Sequence, residues 1–249
     1  QVKITVANNP EGNNARDVTV IPVSSEVNLR YLDWVERNRE YVRERTDGRV
    51  AYVHVPNTAQ AGHEMFKRYF YPQSHKDALI LDERYNGGGL IADYYIDFLR
   101  RQYISHWNFR YGNDLISPRG AILGPKVMLA DETAGSGGDL LPWMFKKFEI
   151  GPVIGKRTWG GLVGILGFPV LRDGGTITAP NLAFWTEEDG FAVENEGVAP
   201  DIEVEQLPSE VNQGVDPQLE RAIEEILQML EDNPPKEYER PDYPVRVKN

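Results

Sequence analysis

Cysteine is absent from all 249 residues. That excludes disulfides, thiolate catalysis and zinc sites built on cysteine, and it leaves the redox compartment open. No apolar run approaches the roughly 20 residues that span a bilayer, and no signal-peptide pattern opens the chain. A basic stripe is missing too. The chain has 27 lysines and arginines against 38 aspartates and glutamates, a net charge of −11 with both signs interspersed. Binding along nucleic-acid phosphates has no footprint in such a sequence. Apolar residues make up 41%, enough for a substantial core, and the length suits one large domain or one domain plus a fragment of another. The chain begins with Gln1 and runs at once into a strand pattern, so a processed or truncated start is expected.

What is present alternates strand and helix patterns. Val2–Val6 and residues 18–23 alternate apolar and polar side chains around a polar turn at 8–14, which predicts a hairpin. A lone hairpin is marginal in water and should pack on something else. Asn28 is placed to cap a helix with Leu29, Leu32, Trp34, Val35, Tyr41 and Val42 on its apolar side, ending near Asp47-Gly48. Strands are expected at 50–56, 78–82 and 126–130, and helices at 63–71, 90–102 and 140–148. A long polar loop should run up to Pro125. Further strands are expected at 152–155, 164–170, 176–179 and 183–185. Asp216-Pro217 opens a last helix reaching about residue 231, followed by a loosely held polar tail after Pro234-Pro235. This order argues an α/β fold.

Two turns carry chemistry. In Asp131-Glu132-Thr133-Ala134-Gly135-Ser136-Gly137-Gly138-Asp139, a serine stands among small residues between an expected strand and an expected helix. Such a turn exposes a hydroxyl beside the N–H groups of a helix N-terminus. Acyl transfer needs this pairing of a nucleophile with donors for the oxyanion. Asn86-Gly87-Gly88-Gly89 likewise follows an expected buried strand and opens a helix. It lacks the lysine and hydroxyl of a P-loop. If the two turns lie side by side in a parallel sheet, the Gly89 and Gly137 N–H groups can converge on one carbonyl oxygen next to Ser136. The plainer reading is a Gly/Ser helix cap and a turn that needs positive φ.

Four segments occur in order: Asp82-Glu83-Arg84-Tyr85-Asn86-Gly87-Gly88-Gly89, Ala134-Gly135-Ser136-Gly137-Gly138-Asp139, Gly155-Lys156-Arg157-Thr158-Trp159-Gly160-Gly161 and Val193-Glu194-Asn195-Glu196-Gly197-Val198-Ala199-Pro200-Asp201. Together they resemble the catalytic core of tricorn-type serine peptidases, within the C-terminal processing (tail-specific) peptidase group, over about residues 29–230. The resemblance implies a crotonase/ClpP-like α/β spiral core at 28–232. Residues 1–27 would be the last strands of a PDZ-like domain, and 233–249 a polar tail. It implies Ser136 as nucleophile, Gly89 and Gly137 as oxyanion-hole amides, and Glu194 as the acidic member of a charge-relay network, with Glu196 a competitor for that role. Gly88, Trp107 and Trp159 are expected at the substrate. The family position that selects basic side chains by an acidic residue falls at Trp107, so an apolar or aromatic preference is expected unless Asp114 swings in.

Two departures from the family pattern shape the expectation. The tail-specific branch uses a lysine where this chain has Gly161. Lys146 and Lys147 are expected to face solvent, and Lys156 precedes the motif rather than following it. The tricorn branch takes its base histidine from a segment before the PDZ-like domain. His54, His63, His75 and His106 match nothing in that role. The expected function is a serine peptidase acting on peptides or unfolded polypeptides through an acyl-enzyme. It would need no metal or organic cofactor, and its base would come from an N-terminal region or a second chain. A homo-oligomer and a cytoplasmic location are expected, with no nucleic-acid partner and no membrane span. The alternatives are a catalytically silent peptide-binding module on the same fold and a Ser–Lys tail-specific peptidase. A crotonase-type acyl-CoA enzyme is a further reading, for which no basic cluster is visible.

Overall fold

The computed structural model describes residues 1–246 and divides into two units, Gln1–Asn38 and the residues from Arg39 onward. In the first unit, β1 (Val2–Val6) pairs antiparallel with β2 (Arg16–Val20), Val2 opposite Val20. The second strand starts two residues before the alternating pattern does. Asp17 extends the ladder by accepting from Thr5 Oγ1 at 2.7 Å and pairing with Lys3 at 2.7 Å. It stops short of Pro22, which has no N–H to donate. The next element, α1 (Val27–Arg45), begins in this unit and ends in the second. Ser25 Oγ accepts from the Val27 N–H at 3.3 Å, and the Glu26 carbonyl takes the first helical bond, from Arg30. Asn28 therefore lies inside the first turn instead of capping it, and Leu29 is exposed. The helix ends where expected, at Asp47 and Gly48, both at positive φ.

The second unit continues with β3 (Val50–His54), α2 (Gln60–Phe70), β4 (Ala78–Asp82), α3 (Ala92–Leu99), β5 (Ser105–Trp107) and β6 (Leu115–Ser117). Then come β7 (Lys126–Ala130), α4 (Gly137–Lys147), β8 (Val153–Gly155), β9 (Ile202–Glu203), α5 (Pro208–Val211) and α6 (Pro217–Asp232). Five strands form one sheet in the order β3-β4-β7-β8-β9, every pair parallel. Tyr52 stands opposite Ile80, and Ile80 opposite Val127. The strands β3, β4, β7 and β8 are buried along their whole length. A sheet covered on both faces has no polar side, which is why these strands read as unbroken apolar runs. On α2 and α3, Phe66 packs against Tyr95 and Phe98 at centroid distances of 5.0 and 5.7 Å. Asp216 caps α6 by accepting from the Leu219 N–H at 3.0 Å, with Pro217 in the first turn as expected.

Several expectations fail for identifiable reasons. The long polar loop contains the antiparallel hairpin β5–β6, whose strands are too short to show a period. The strands expected at 164–170, 176–179 and 183–185 do not form, and only isolated bridges join Gly164 to Leu182 and Thr186 to Gly190. That region has Gly164, Gly167, Pro169, Gly174, Gly175 and Pro180 as interruptions, and Ile165, Leu166, Phe168 and Val170 are exposed. Apolar residues without a core to face make no strand. The tail is held: Tyr238 stacks on Tyr103 with centroids 4.0 Å apart, and Tyr243 donates to Asn108 Oδ1 at 2.6 Å. Among the described residues, no helix is long and apolar enough to cross a membrane.

Adjacent parallel strands place their exits together. β4 and β7 are neighbours, and both run into short turns at their C-terminal ends. Open α/β sheets bind ligands at that edge.

Candidate active site

After β7 the chain reverses around the Asp131 carboxylate. One oxygen, Oδ1, accepts from the Thr133 and Ala134 N–H groups and from Thr133 Oγ1 at 2.8–3.1 Å. It also accepts from the Tyr85 N–H at 3.1 Å, which ties the exit of β7 to that of β4. Ser136 follows at φ 57° and ψ −116° and opens α4. A residue with a Cβ pays about 1–3 kcal/mol for such a conformation, so something must hold it there. Asp139 does so. It is fully buried, and its Oδ2 accepts from the N–H groups of Ser136 (2.7 Å) and Gly161 (3.1 Å). Its Oδ1 accepts from Thr158 Oγ1 (2.5 Å) and the Gly160 N–H (2.7 Å). One carboxylate thus fixes both the serine turn and the Thr158–Gly161 loop.

The glycine turn lies against the serine turn. Asn86 Oδ1 accepts from the Gly88 N–H at 2.9 Å, and its carbonyl accepts from the Gly135 N–H at 3.1 Å. A Cβ on Gly88 would stand 2.7 Å from Ser136 Cβ. A Cβ on Gly137 would stand 1.9 Å from Thr58 Oγ1 and 2.8 Å from the Gly89 nitrogen. Side chains at these two positions would push the turns apart. Among the described residues, neither the Gly89 N–H nor the Gly137 N–H donates to any acceptor. Two uncommitted amides therefore stand together beside a strained serine.

The other residues singled out in the sequence fall around these turns. The Trp159 N–H donates to the Ala134 carbonyl at 2.9 Å, and its indole, 70% exposed, lies over Gly135. Glu194 is half-buried, and its Oε2 accepts from the Val163 N–H at 2.6 Å, two residues beyond Gly161. Its neighbour Asn195 donates to the Gly160 carbonyl at 2.7 Å. Glu196 is exposed and meets Arg157 only through its backbone carbonyl. Trp107 stands exposed on β5 opposite Leu115, its backbone held by the hairpin and not by either turn.

The candidate bases are occupied elsewhere. Lys146 pairs with Asp201 at 2.8 Å, Lys147 with Glu188, and Lys156 with Glu203 and Glu205. His54 is buried, with Nε2 at 2.9 Å from the Arg84 carbonyl, and burial pushes its pKa down. His63 packs edge-on against Tyr94, and His106, on β5, meets the Tyr103 hydroxyl at 2.8 Å. His75 is exposed in the loop after α2. No histidine among the described residues is hydrogen-bonded to Ser136. No group of three histidine or carboxylate side chains among them is arranged to hold a metal ion.

Sequence reasoning missed Asp139, Asn86, Asp131 and Glu83. The serine-to-aspartate spacing of three is that of a capping box and could have flagged Asp139. Glu83 is fully buried, and among the described residues neither carboxyl oxygen has a hydrogen-bond partner; the Asn86 amide faces it without completing a bond. Burial first, then the carboxylates of Asp131, Asp139 and Asp82, hold its pKa well above the usual range. The folded state therefore keeps a proton that the unfolded chain loses as pH rises through about 4.3. Stability is lost from there up to the folded pKa. Glu83→Gln, which mimics the protonated acid, should raise the melting temperature at pH 8 by about 2–4 °C per kcal/mol recovered. The gain should shrink toward zero at pH 4. Thermal melts at both pH values check this, and an unchanged or lower melting temperature at pH 8 contradicts it.

The architecture is that of an α/β protein with a serine turn and a glycine turn at the C-terminal ends of adjacent parallel strands. The model of peptidase family S41 matches residues 49–204, and the chain belongs to that family. It is 40% identical over 219 residues to the tricorn protease of Thermoplasma volcanium, covering 88% of this chain and 21% of that protein. It is 39% identical over 215 residues to a putative tricorn-like protease C-terminal subunit of Sulfurisphaera tokodaii, covering 86% and 25%. A crystal structure of the tricorn protease superposes with a TM-score of 0.86 at 38% identity, over 92% of this chain and 22% of that one. The chain thus spans about a fifth to a quarter of the length of these relatives.

Proposed function

We propose that this S41 peptidase chain carries the nucleophile and oxyanion hole of a serine peptidase that cleaves peptides or unfolded polypeptides, and that its general base lies outside the chain. Ser136 Oγ attacks the scissile carbonyl carbon as its proton passes to that base. The Gly89 and Gly137 N–H groups hold the oxyanion. The amine leaves with the proton, and water then hydrolyses the Ser136 ester. Glu194 is the acidic member that orients the base. Gly88 and Trp159 flank the substrate, and Trp107 gives an apolar or aromatic preference before the scissile bond. The observation that carries this reading is the pair of uncommitted amides beside the strained Ser136.

The domain reading goes with it. Residues 1–27 are the end of a PDZ-like domain, 28–232 a crotonase/ClpP-like spiral core and 233–249 a tail. The reading includes a homo-oligomer in the cytoplasm, and a region N-terminal to this chain or a second chain as donor of the base. The likeness to a protein named as a C-terminal subunit supports that division.

A silent peptide-binding module is the second reading, favoured by the lack, among the described residues, of a histidine or free lysine at Ser136. Hydrolysis of an unstructured peptide mixture separates the two. The chain joined to its N-terminal region should release defined fragments, read by mass spectrometry. Peptide binding without cleavage by that fuller protein would favour the module.

A further inference from the structure

The edge of the sheet opposite Ser136 contains a cavity of about 630 Å³ at the N-terminal end of β7. Its ionisable walls are His75, Lys76, Asp77, Lys126, Lys236 and Tyr238. In a chain of net charge −11, three lysines and a histidine here face a single carboxylate. That carboxylate is already committed, since Asp77 pairs with Arg49 at 2.9 Å. Lys76 donates to the Gly48 carbonyl.

Lys126 is the unusual member. It is the first residue of a buried strand and only 6% exposed. Its Nζ donates to the Gly124 carbonyl at 2.9 Å, and no carboxylate among the described residues lies within ion-pair distance. An ammonium carries three donors, and one carbonyl does not offset the loss of water around a buried charge. Burial alone lowers this amine to about 8. Buried lysines in proteins are otherwise paired or neutral.

We infer that the cavity binds a small oxyanion, a carboxylate or a phosphate, with the Lys126 ammonium as its charge partner and Lys236 at its mouth. The anion supplies the counter-charge that the described residues do not, and it engages donors that Lys126 has spare. Binding also favours the protonated amine. Above pH 8, the complex should therefore take up a proton from buffer as it forms. None of this involves Ser136, so it stands or falls independently of the proposed hydrolysis.

The test is calorimetric titration of the chain with inorganic phosphate and, separately, with N-acetylglycine. Each titration is run at pH 8.5 in two buffers of different ionisation enthalpy. One site with proton uptake is expected for at least one anion, and which anion binds tells a phosphate from a peptide-type carboxylate. Lys126→Met should weaken binding about ten- to a hundredfold while its melting temperature stays at or above that of the parent, because the buried amine is gone. Lys236→Gln, at an exposed position, should weaken it less. Binding unchanged in Lys126→Met, binding without proton uptake, or no binding of either anion would overturn the inference. The proton-uptake measurement uses the parent chain and decides the matter even where the methionine variant fails to fold.

Discussion

Ser136→Ala should abolish peptide hydrolysis by the complete enzyme while leaving the melting temperature close to that of the parent. Ser136→Gly should abolish it too, yet raise the melting temperature. Loss of a nucleophilic serine costs a hydrolase about 10⁶ in kcat. The stability difference comes from the backbone. At φ 57° and ψ −116° any residue with a Cβ is strained, alanine as much as serine. Glycine relieves about 1–3 kcal/mol of strain and gives back roughly 0.5–1 kcal/mol through its freer unfolded chain. The net is about 1 kcal/mol, or 2–4 °C for a chain of this size. Hydrolysis within tenfold of the parent in either variant would remove Ser136 from the chemistry. A melting temperature lowered by Ser136→Gly would mean that the turn is not strained.

Asp139→Ala should be the most destabilising single change near the site. It leaves three backbone N–H groups and the Thr158 hydroxyl without their acceptor in a buried place. Breaking a buried charged network of this kind costs about 3–5 kcal/mol, which corresponds to a fall of roughly 6–20 °C. Asp139→Asn is a sharper probe. Its amide oxygen can still serve two of the donors, but its NH2 must point at the other two, so it keeps the volume and loses half the bonds. The serine turn then loses what holds it at positive φ, and the acylation rate should fall with stability in both variants. Circular-dichroism melts read the first effect and pre-steady-state acylation the second. A fall of less than 2 °C in Asp139→Ala would show that the turn is held by something other than this carboxylate.

The legible parts of this fold are those in which one physical demand dominates. The strands β3, β4 and β7 are covered on both faces, so burial alone writes an unbroken apolar run. The start of α6 is legible because Asp216 and Pro217 meet the needs of a helix N-terminus at neighbouring positions. The serine and glycine turns stand out because close approach excludes side chains, at Gly88 by Ser136 and at Gly137 by Thr58. Other features depend on partners far away in sequence. The strand β9 is two residues long and exists because β8 offers an edge. The apolar residues from 165 to 170 mimic a strand, but no core faces them. Asp139 reads as an ordinary acidic residue in a first helical turn until the Thr158–Gly161 loop folds onto it. Glu83 reads as part of a polar turn, and only the tertiary fold puts it among three other carboxylates.

The base is the central matter, and it is tested most directly by intact-mass labelling of the chain with a fluorophosphonate, beside Ser136→Ala. A serine without a base is a poor nucleophile at neutral pH. The expected result is no adduct on the chain alone, and a single adduct once the region N-terminal to it is supplied, lost again in Ser136→Ala. A single adduct on the isolated chain, lost in Ser136→Ala, would contradict the account, because it would mean that the base is already within these residues.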